Sequence, residues 1–325
     1  DPYDTLNSWI PFHWIGDWGP ILATQFQKRN PFNIRPYIGI EKEVNPKAFG
    51  LFLKSYSILY RKFKKKEYLD KANFFYNYLK ENYSKGYSGH CWGYNFPWAS
   101  PGEFVDEYIP TAVTTGFVVQ GLYEYFLINN KNEVRDIISS ASNFITDDLT
   151  HTKFTDGVCI SYTPLWTDLC FNASLLAAEV LAINYKVNNE KKHREISLKA
   201  INWVISHQYP DGRWNYSINI RTNKQRKQID FHQGYILMSL KSIINLIDPV
   251  NMNKYVSAID IGLRFYFKNQ FFKEGISKWR LPKRWPIEIH NQAQGIITFA
   301  SLHNENKEYS DFAVKILLWT IKSMQ

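Results

Sequence analysis

Apolar and small residues recur at helical spacing in five stretches that begin near Asn45, Pro110, Phe171, Asp230 and Ile289, separated by 65, 61, 59 and 59 residues. Each stretch carries small residues among the apolar ones: Ala48 and Gly50; Ala112, Gly116 and Gly121; Ala173, Ala177 and Ala178; Gly234 and Ser239; Ala293, Gly295 and Ala300. Small side chains let helices approach closely, so this class is expected on the inside. A second class alternates with it, near 68–83, 134–149, 193–208, 255–271 and 309–324. Here the apolar stripe covers one side only, as in Tyr68, Ala72, Phe75 and Leu79, or Ile196, Ala200, Trp203 and Val204, with Lys and Asn elsewhere. That pattern predicts outer, amphipathic helices. Four of the five outer helices lead into a glycine-started, strand-like tip: 86–98, 157–162, 212–216 and 275–280.

A repeat of outer helix, tip and inner helix every 60 residues or so cannot bury its apolar face alone, but neighbouring copies can cover one another. The expected fold is therefore all-α: an α/α toroid of five to six helical hairpins with short β-like tips, formed by residues 45–325. Residues 1–44 break the period with Trp9, Pro11, His13, Trp14, Trp18, Pro20, Pro31 and Pro36. They are expected to form an arm packed on the body, with one short helix near Pro20–Gln27, standing in for a missing helix of a six-fold ring. No stretch approaches 18 apolar residues, so no membrane span is expected.

Composition changes this picture in one respect. The chain is 45% hydrophobic, which is ordinary, but 17% aromatic, with 11 Trp, 21 Tyr and 22 Phe. The codon bias of an A/T-rich genome accounts for part of that excess; much of the rest falls in the tips. Rings set among polar groups commonly line sugar sites, because the apolar face of a pyranose stacks on them. The net charge of +9 favours an anionic partner, with an acidic glycan preferred over nucleic acid. The basic runs Arg61–Lys66 and Arg221–Lys227 read as solvated loops. The three cysteines, Cys91, Cys159 and Cys170, show no metal-ligand spacing, and their sparse, odd count suits a reducing, cytoplasmic setting. The chain starts at Asp1 without Met, so a leader or an upstream segment is allowed for. Neither cofactor nor metal is expected.

The densest chemistry lies in Trp279–Gln294, where two prolines hold off helix until a buried helix starts near Ile289. Polar clusters at equivalent places in the repeat are expected to converge. They are His90, Trp92, Tyr94, Asn95 and Trp98; Glu103, Asp106, Glu107 and Tyr108; Asp230, His232, Gln233 and Tyr235; and Arg284, Trp285, Glu288, His290, Asn291 and Gln294. Tyr162, Trp166, Asp168 and Asn172 form a weaker fifth set. Removing the C5 proton of a uronate needs a base and a donor set for the carboxylate. Tyr108, His290, His232 and Glu107 are the catalytic candidates, and Arg284 is the candidate grip on the carboxylate. Inverting hydrolysis instead needs two carboxyl groups about 6.5–9.5 Å apart, which Glu107 with Asp230 or Glu288 could supply.

Gln208-Tyr209-Pro210-Asp211-Gly212-Arg213-Trp214 resembles the Gln-x-x-Asp-Gly-x-Trp repeat of squalene cyclases and related toroids, in which the motif is a structural staple. The resemblance implies a structural role for Asp211 and Trp214. The Asp-x-Asp-Asp cluster of those cyclases is absent. Three further segments are similar to the helical C-terminal domain of heparosan glucuronyl C5-epimerases. They are Tyr108-Ile109-Pro110-Thr111-Ala112 with Gly116, Gly234–Leu240, and Arg284-Trp285 followed by His290-Asn291-Gln292. Pro286-Ile287-Glu288 stands where that family continues from Arg-Trp with Tyr, and its β-rich domain has no counterpart here. This resemblance implies a carbohydrate-active enzyme on an acidic polysaccharide or oligosaccharide, of uronyl C5-epimerase or lyase type. An inverting glycoside hydrolase or a non-catalytic glycan-binding toroid would use the same fold.

Overall fold

The computed structural model describes residues 2–100, 103–303 and 306–324. The chain divides into two compact units, Asp1–Asp148 and Leu149–Gln325. The first unit opens with 3-10 turns at Pro2–Asn7 and Phe12–Ile15, then α1 (Trp18–Arg29) and a further turn at Arg35–Ile38. Two hairpins follow, α2 (Pro46–Phe63) with α3 (Lys66–Glu81) and α4 (Ala112–Asn129) with α5 (Asn132–Asn143). The tip between them contains β1 (Trp98–Ser100) paired antiparallel with β2 (Glu103–Val105). The second unit holds β3 (His151–Phe154), β4 (Gly157–Ile160) and β5 (Leu169–Cys170) ahead of the hairpin α6 (Phe171–Asn188) and α7 (Lys191–Ser206). After β6 (Ser217–Ile218) and β7 (Gln225–Arg226) come α8 (His232–Ile247) with α9 (Met252–Gln270), and α10 (Ile289–Ser301) with α11 (Lys307–Met324).

The inner helices α2, α4, α6, α8 and α10 start within two residues of the expected positions, and their partners follow as the periodicity requires. Local chemistry explains the boundaries. Asn45 caps α2 by accepting from the Lys47 and Ala48 amides ahead of Pro46, and Thr111 caps α4 through Thr114. Four inner helices end on a left-handed residue whose N–H returns to the carbonyl four residues back: Lys64, Asn130, Asn189 and Asp248. That turn lets the outer helix reverse direction within two to four residues. α4 and α6 are apolar nearly all round and buried for most of their length, as interior helices must be. The small residues act at the crossings. A Cβ on Gly121 of α4 would lie 2.4 Å from the Gly50 carbonyl oxygen of α2, and one on Gly234 of α8 would lie 2.6 Å from Gln294 Cγ of α10.

Two devices recur at the tips. The first is a side chain from the opening turn of the following inner helix, which accepts a tip backbone N–H: Thr115 from Trp92, Ser174 from Ile160, Gln233 from Trp214 and Gln292 from Ser277, at 2.7–3.1 Å. The second is a tip glycine pressed on the backbone of the next outer helix. A Cβ would lie 1.8 Å from the Ser140 carbonyl oxygen at Gly89, 2.0 Å from that of Lys199 at Gly157 and 2.4 Å from that of Ile261 at Gly212. At Gly275 it would lie 2.9 Å from the Ile316 nitrogen. Each tip is thus fixed by its own inner helix and by the outer helix of the next hairpin.

Candidate functional site

In the second unit the tip preceding α8 ends in Gln228-Ile229-Asp230-Phe231, with Asp230 and Gln228 buried. His232 opens the helix, and its Nδ1 lies 2.5 Å from Asp230 Oδ1. The His232 amide donates to the same oxygen at 3.2 Å, and Gln228 Nε2 donates to Asp230 Oδ2 at 2.9 Å. Burial pushes the Asp230 carboxyl up, but the charge and hydrogen bonds of His232 and the bond from Gln228 outweigh it. The carboxyl is therefore held below its ordinary value. With Nδ1 turned to a buried carboxylate, the imidazole keeps Nε2 for proton transfer.

Rings enclose this pair. Phe231 stacks on His232 at 4.2 Å and on His290, at the start of α10, at 5.1 Å. Tyr216 and Tyr235 meet the His232 ring edge-on at 4.8 and 5.9 Å. Arg280 reaches in from the next tip, its Nε 3.5 Å from Asp230 Oδ2. The tip is tied there by Leu281 N–H donating to the Ile229 carbonyl at 2.9 Å. Several buried polar atoms nearby have no hydrogen-bond partner among the described residues: Gln228 Oε1, Asn291 Oδ1 and the Tyr266 hydroxyl. The Tyr266 phenol is raised by burial and then by Asp230. Buried orphan polar groups call for a water or a ligand.

The remaining expected site residues of this unit lie as follows. Gln233 spends its amide on Trp214, accepting from its N–H at 2.9 Å and donating to its carbonyl at 2.7 Å. Asn291 is buried and donates to the Trp279 carbonyl at 3.2 Å, and Gln294 donates to Thr298 Oγ1 at 3.0 Å. Glu288 is the residue before α10, half-buried. Arg284 and Trp285 are exposed; the guanidinium sits 5.9 Å over Phe272, on which Trp285 stacks at 6.2 Å. The Tyr162 amide donates to Asp168 Oδ1 at 2.6 Å. Trp214 is fully buried and its Nε1 donates to the Val204 carbonyl at 2.9 Å.

The first unit gathers a separate set. Trp92 is buried and donates to the Leu79 carbonyl at 3.1 Å, so its indole is a packing element. His90 lies against Tyr83, tilted, with ring centres 4.0 Å apart, and its Nδ1 lies 2.9 Å from Ser140 Oγ; burial and then Lys85 push the imidazole down. Asn95 is buried, donating to Glu43 at 3.1 Å, and Tyr94 stacks on Phe96. Trp98 is half-buried in β1. Tyr108 has φ of 59° and is 46% exposed, with its N–H donating to the Tyr94 carbonyl at 2.7 Å. Partial burial, then Glu43 and Glu107, raise its phenol; partial burial, then Glu43 and Asp106, raise the Glu107 carboxyl. No cluster of metal ligands occurs among the described residues.

Sequence reasoning missed Gln228, Phe231 and Arg280. Phe231 sits inside a marked polar cluster and Arg280 inside the Trp279–Gln294 stretch, but nothing in their spacing announced the Arg280–Asp230 pairing across 50 residues.

No protein-family model matches the sequence, and no curated relative matches it. Solved structures do. A cellobiose 2-epimerase from Bacillus thermoamylovorans superposes with a TM-score of 0.68 at 16% identity, covering 89% of this chain and 79% of that one. The GH76 alpha-mannanase from Bacteroides thetaiotaomicron gives 0.60 at 13% identity, covering 83% and 71%. An unsaturated glucuronyl hydrolase from a Bacillus species, named as responsible for glycosaminoglycan degradation, gives 0.60 at 10% identity, covering 84% and 73%. These likenesses show the fold, an α/α toroid of helical hairpins, as the repeat predicts. Neither squalene cyclases nor heparosan epimerases are among the three.

Proposed function

We propose that the chain is a carbohydrate-active enzyme that moves a proton on an acidic polysaccharide or oligosaccharide, in the manner of a uronyl C5-epimerase or lyase. The observation that carries this reading is the Asp230–His232 pair, a buried carboxylate orienting an imidazole that Phe231, Tyr216 and Tyr235 contact with their rings. The structural neighbours, which act on sugars, support a carbohydrate substrate.

In this reading His232 Nε2 takes the C5 proton while Asp230 stabilises the imidazolium. The electron pair left at C5 spreads into the uronate carboxylate. Arg280 is better placed than Arg284 to neutralise it, because its guanidinium already approaches Asp230. Return of a proton to the opposite face completes epimerisation. Expulsion of the C4 substituent, with its bonding pair, completes elimination and leaves a C4–C5 double bond. His290, across Phe231 from His232, is the candidate second acid. A hydrolase reading has one observation in its favour: partial burial and then Glu43 raise the Glu107 carboxyl, as in a glycosidase acid.

The test is incubation with uronate oligosaccharides in deuterium oxide. Deuterium at C5, or an unsaturated product, lost on Asp230→Asn and His232→Gln, is expected. Shortened saccharides without deuterium uptake or unsaturation would replace this reading with the hydrolase.

A further inference from the structure

We propose that the tip from Phe271 to Trp285 is a platform for the sugar units next to the reacting one, each bearing a negative charge, so that the substrate is a polyanionic glycan entered at an interior unit. The proposal rests on reading Asp230–His232 as the reacting site. Between Phe271 and Trp285 the sequence has Lys273, Lys278, Arg280, Lys283 and Arg284 against a single acid, Glu274. Among the described residues the only carboxylate ion pair these cations make is Arg280 with Asp230.

The charges are arranged on rings. Trp279 carries Arg280 at 5.3 Å and Lys283 at 5.7 Å from its centroid. Phe272 carries Lys278 at 5.2 Å and Arg284 at 5.9 Å, and extends into Trp285, which is 62% exposed. A pyranose can lay its C–H face on such a ring while its carboxylate or sulfate meets the flanking cation. Two ring centres, each with its own pair of cations, make room for more than one charged unit. Crowding five like charges with a single carboxylate ion pair among the described residues, Arg280 with Asp230, is unfavourable unless a ligand supplies further anions. Burial and then Arg284 already press the Lys278 ammonium down. The tip also joins the reacting site directly, through the Leu281–Ile229 hydrogen bond and Arg280. A glycan running on from the Asp230–His232 pair would pass over it. That continuity with acid–base chemistry favours a glycan over single-stranded nucleic acid, the other flexible polyanion.

The experiment is calorimetric binding of uronate oligosaccharides of two, four and six units, their carboxyl-reduced neutral counterparts, and an oligodeoxythymidylate of matching length. It is run on the wild type and on the His232→Gln variant. Affinity is expected to rise roughly tenfold or more from the shortest to the longest acidic oligosaccharide and to stay flat for the neutral series. The double variant Lys283→Ala/Arg284→Ala is expected to lose the length dependence while keeping its melting temperature. Length-independent binding, equal affinity for the neutral series, or tighter binding of the oligodeoxythymidylate would overturn the proposal. Deuterium exchange on the shortest uronate without any length gain removes the platform and leaves the reaction standing. A length gain without exchange keeps the platform and removes the reaction.

Discussion

Trp214→Ala tests the construction of the tips. The indole is fully buried, with Gly262 of α9 so close that a Cβ there would lie 2.8 Å from Cζ3. Leu237 Cδ2, itself buried, would lie 2.9 Å from the same Cβ. Truncation of a buried Trp costs about 3–5 kcal/mol in lost transfer energy and residual cavity. The Nε1 bond to the Val204 carbonyl is lost as well, but that oxygen still accepts from the His207 amide. The added cost is therefore about 0.5–1 kcal/mol, the lower end of a hydrogen-bond deletion. The two bonds to Gln233 involve backbone atoms and survive in Ala. The sum, about 3.5–6 kcal/mol, is a large part of the roughly 5–15 kcal/mol that holds a domain together. Urea unfolding followed by far-UV circular dichroism and by fluorescence should show one transition moved to much lower denaturant. Trp214→Phe, which refills most of the space but lacks the donor, should lose about 1–3 kcal/mol. An Ala variant within about 1 kcal/mol of wild type that has lost glycan binding would refute the structural reading and make the indole a ligand contact.

Other expectations follow from the same geometry. Gly212→Ala should destabilise far more than Gly86→Ala, since both sit at positive φ but only Gly212 faces a backbone, the Ile261 carbonyl; thermal melts of the two variants decide it. Asp230 has a folded pKa below its unfolded value, so its stabilisation is present above about pH 4 and is lost as pH falls through the lower folded value. The stability advantage of wild type over Asp230→Asn should accordingly shrink in urea titrations taken from pH 6 towards pH 3. Burial pushes the Cys91 and Cys159 thiols up and holds Cys170 at about 12, so the native chain should not react with Ellman's reagent at pH 8, whereas the unfolded chain should release three equivalents.

The hairpins were legible because helical periodicity survives in both helix classes and because small residues mark the interior one. The starts of α6 and α10 at Phe171 and Ile289 are where the pattern puts them. The roles of individual aromatic and amide side chains were less legible. Trp92 and Trp285 look alike in sequence, yet one is packed against Leu79 and the other faces solvent. Trp92 and Trp214 each follow a tip glycine by two or three residues, and that spacing is the signal for a packing indole. An amide such as Gln233 can serve a sugar hydroxyl or a backbone equally well, and only the distance to Trp214 decides. The Arg280–Asp230 contact depends on how two tips meet, which no local pattern encodes.

The glycine contacts of the tips also bear on how such a protein can change. Because Gly89, Gly157, Gly212 and Gly275 rest on the main chain around Ser140, Lys199, Ile261 and Ile316, the aim of each tip is set partly by a helix some 40–50 residues downstream. A substitution that repacks an outer helix and slides its backbone would tilt the preceding tip without altering any residue in it. Neutral drift on the outer helices is therefore a source of heritable variation in what the tips can hold, and a selection for altered specificity should return changes there as readily as in the tips.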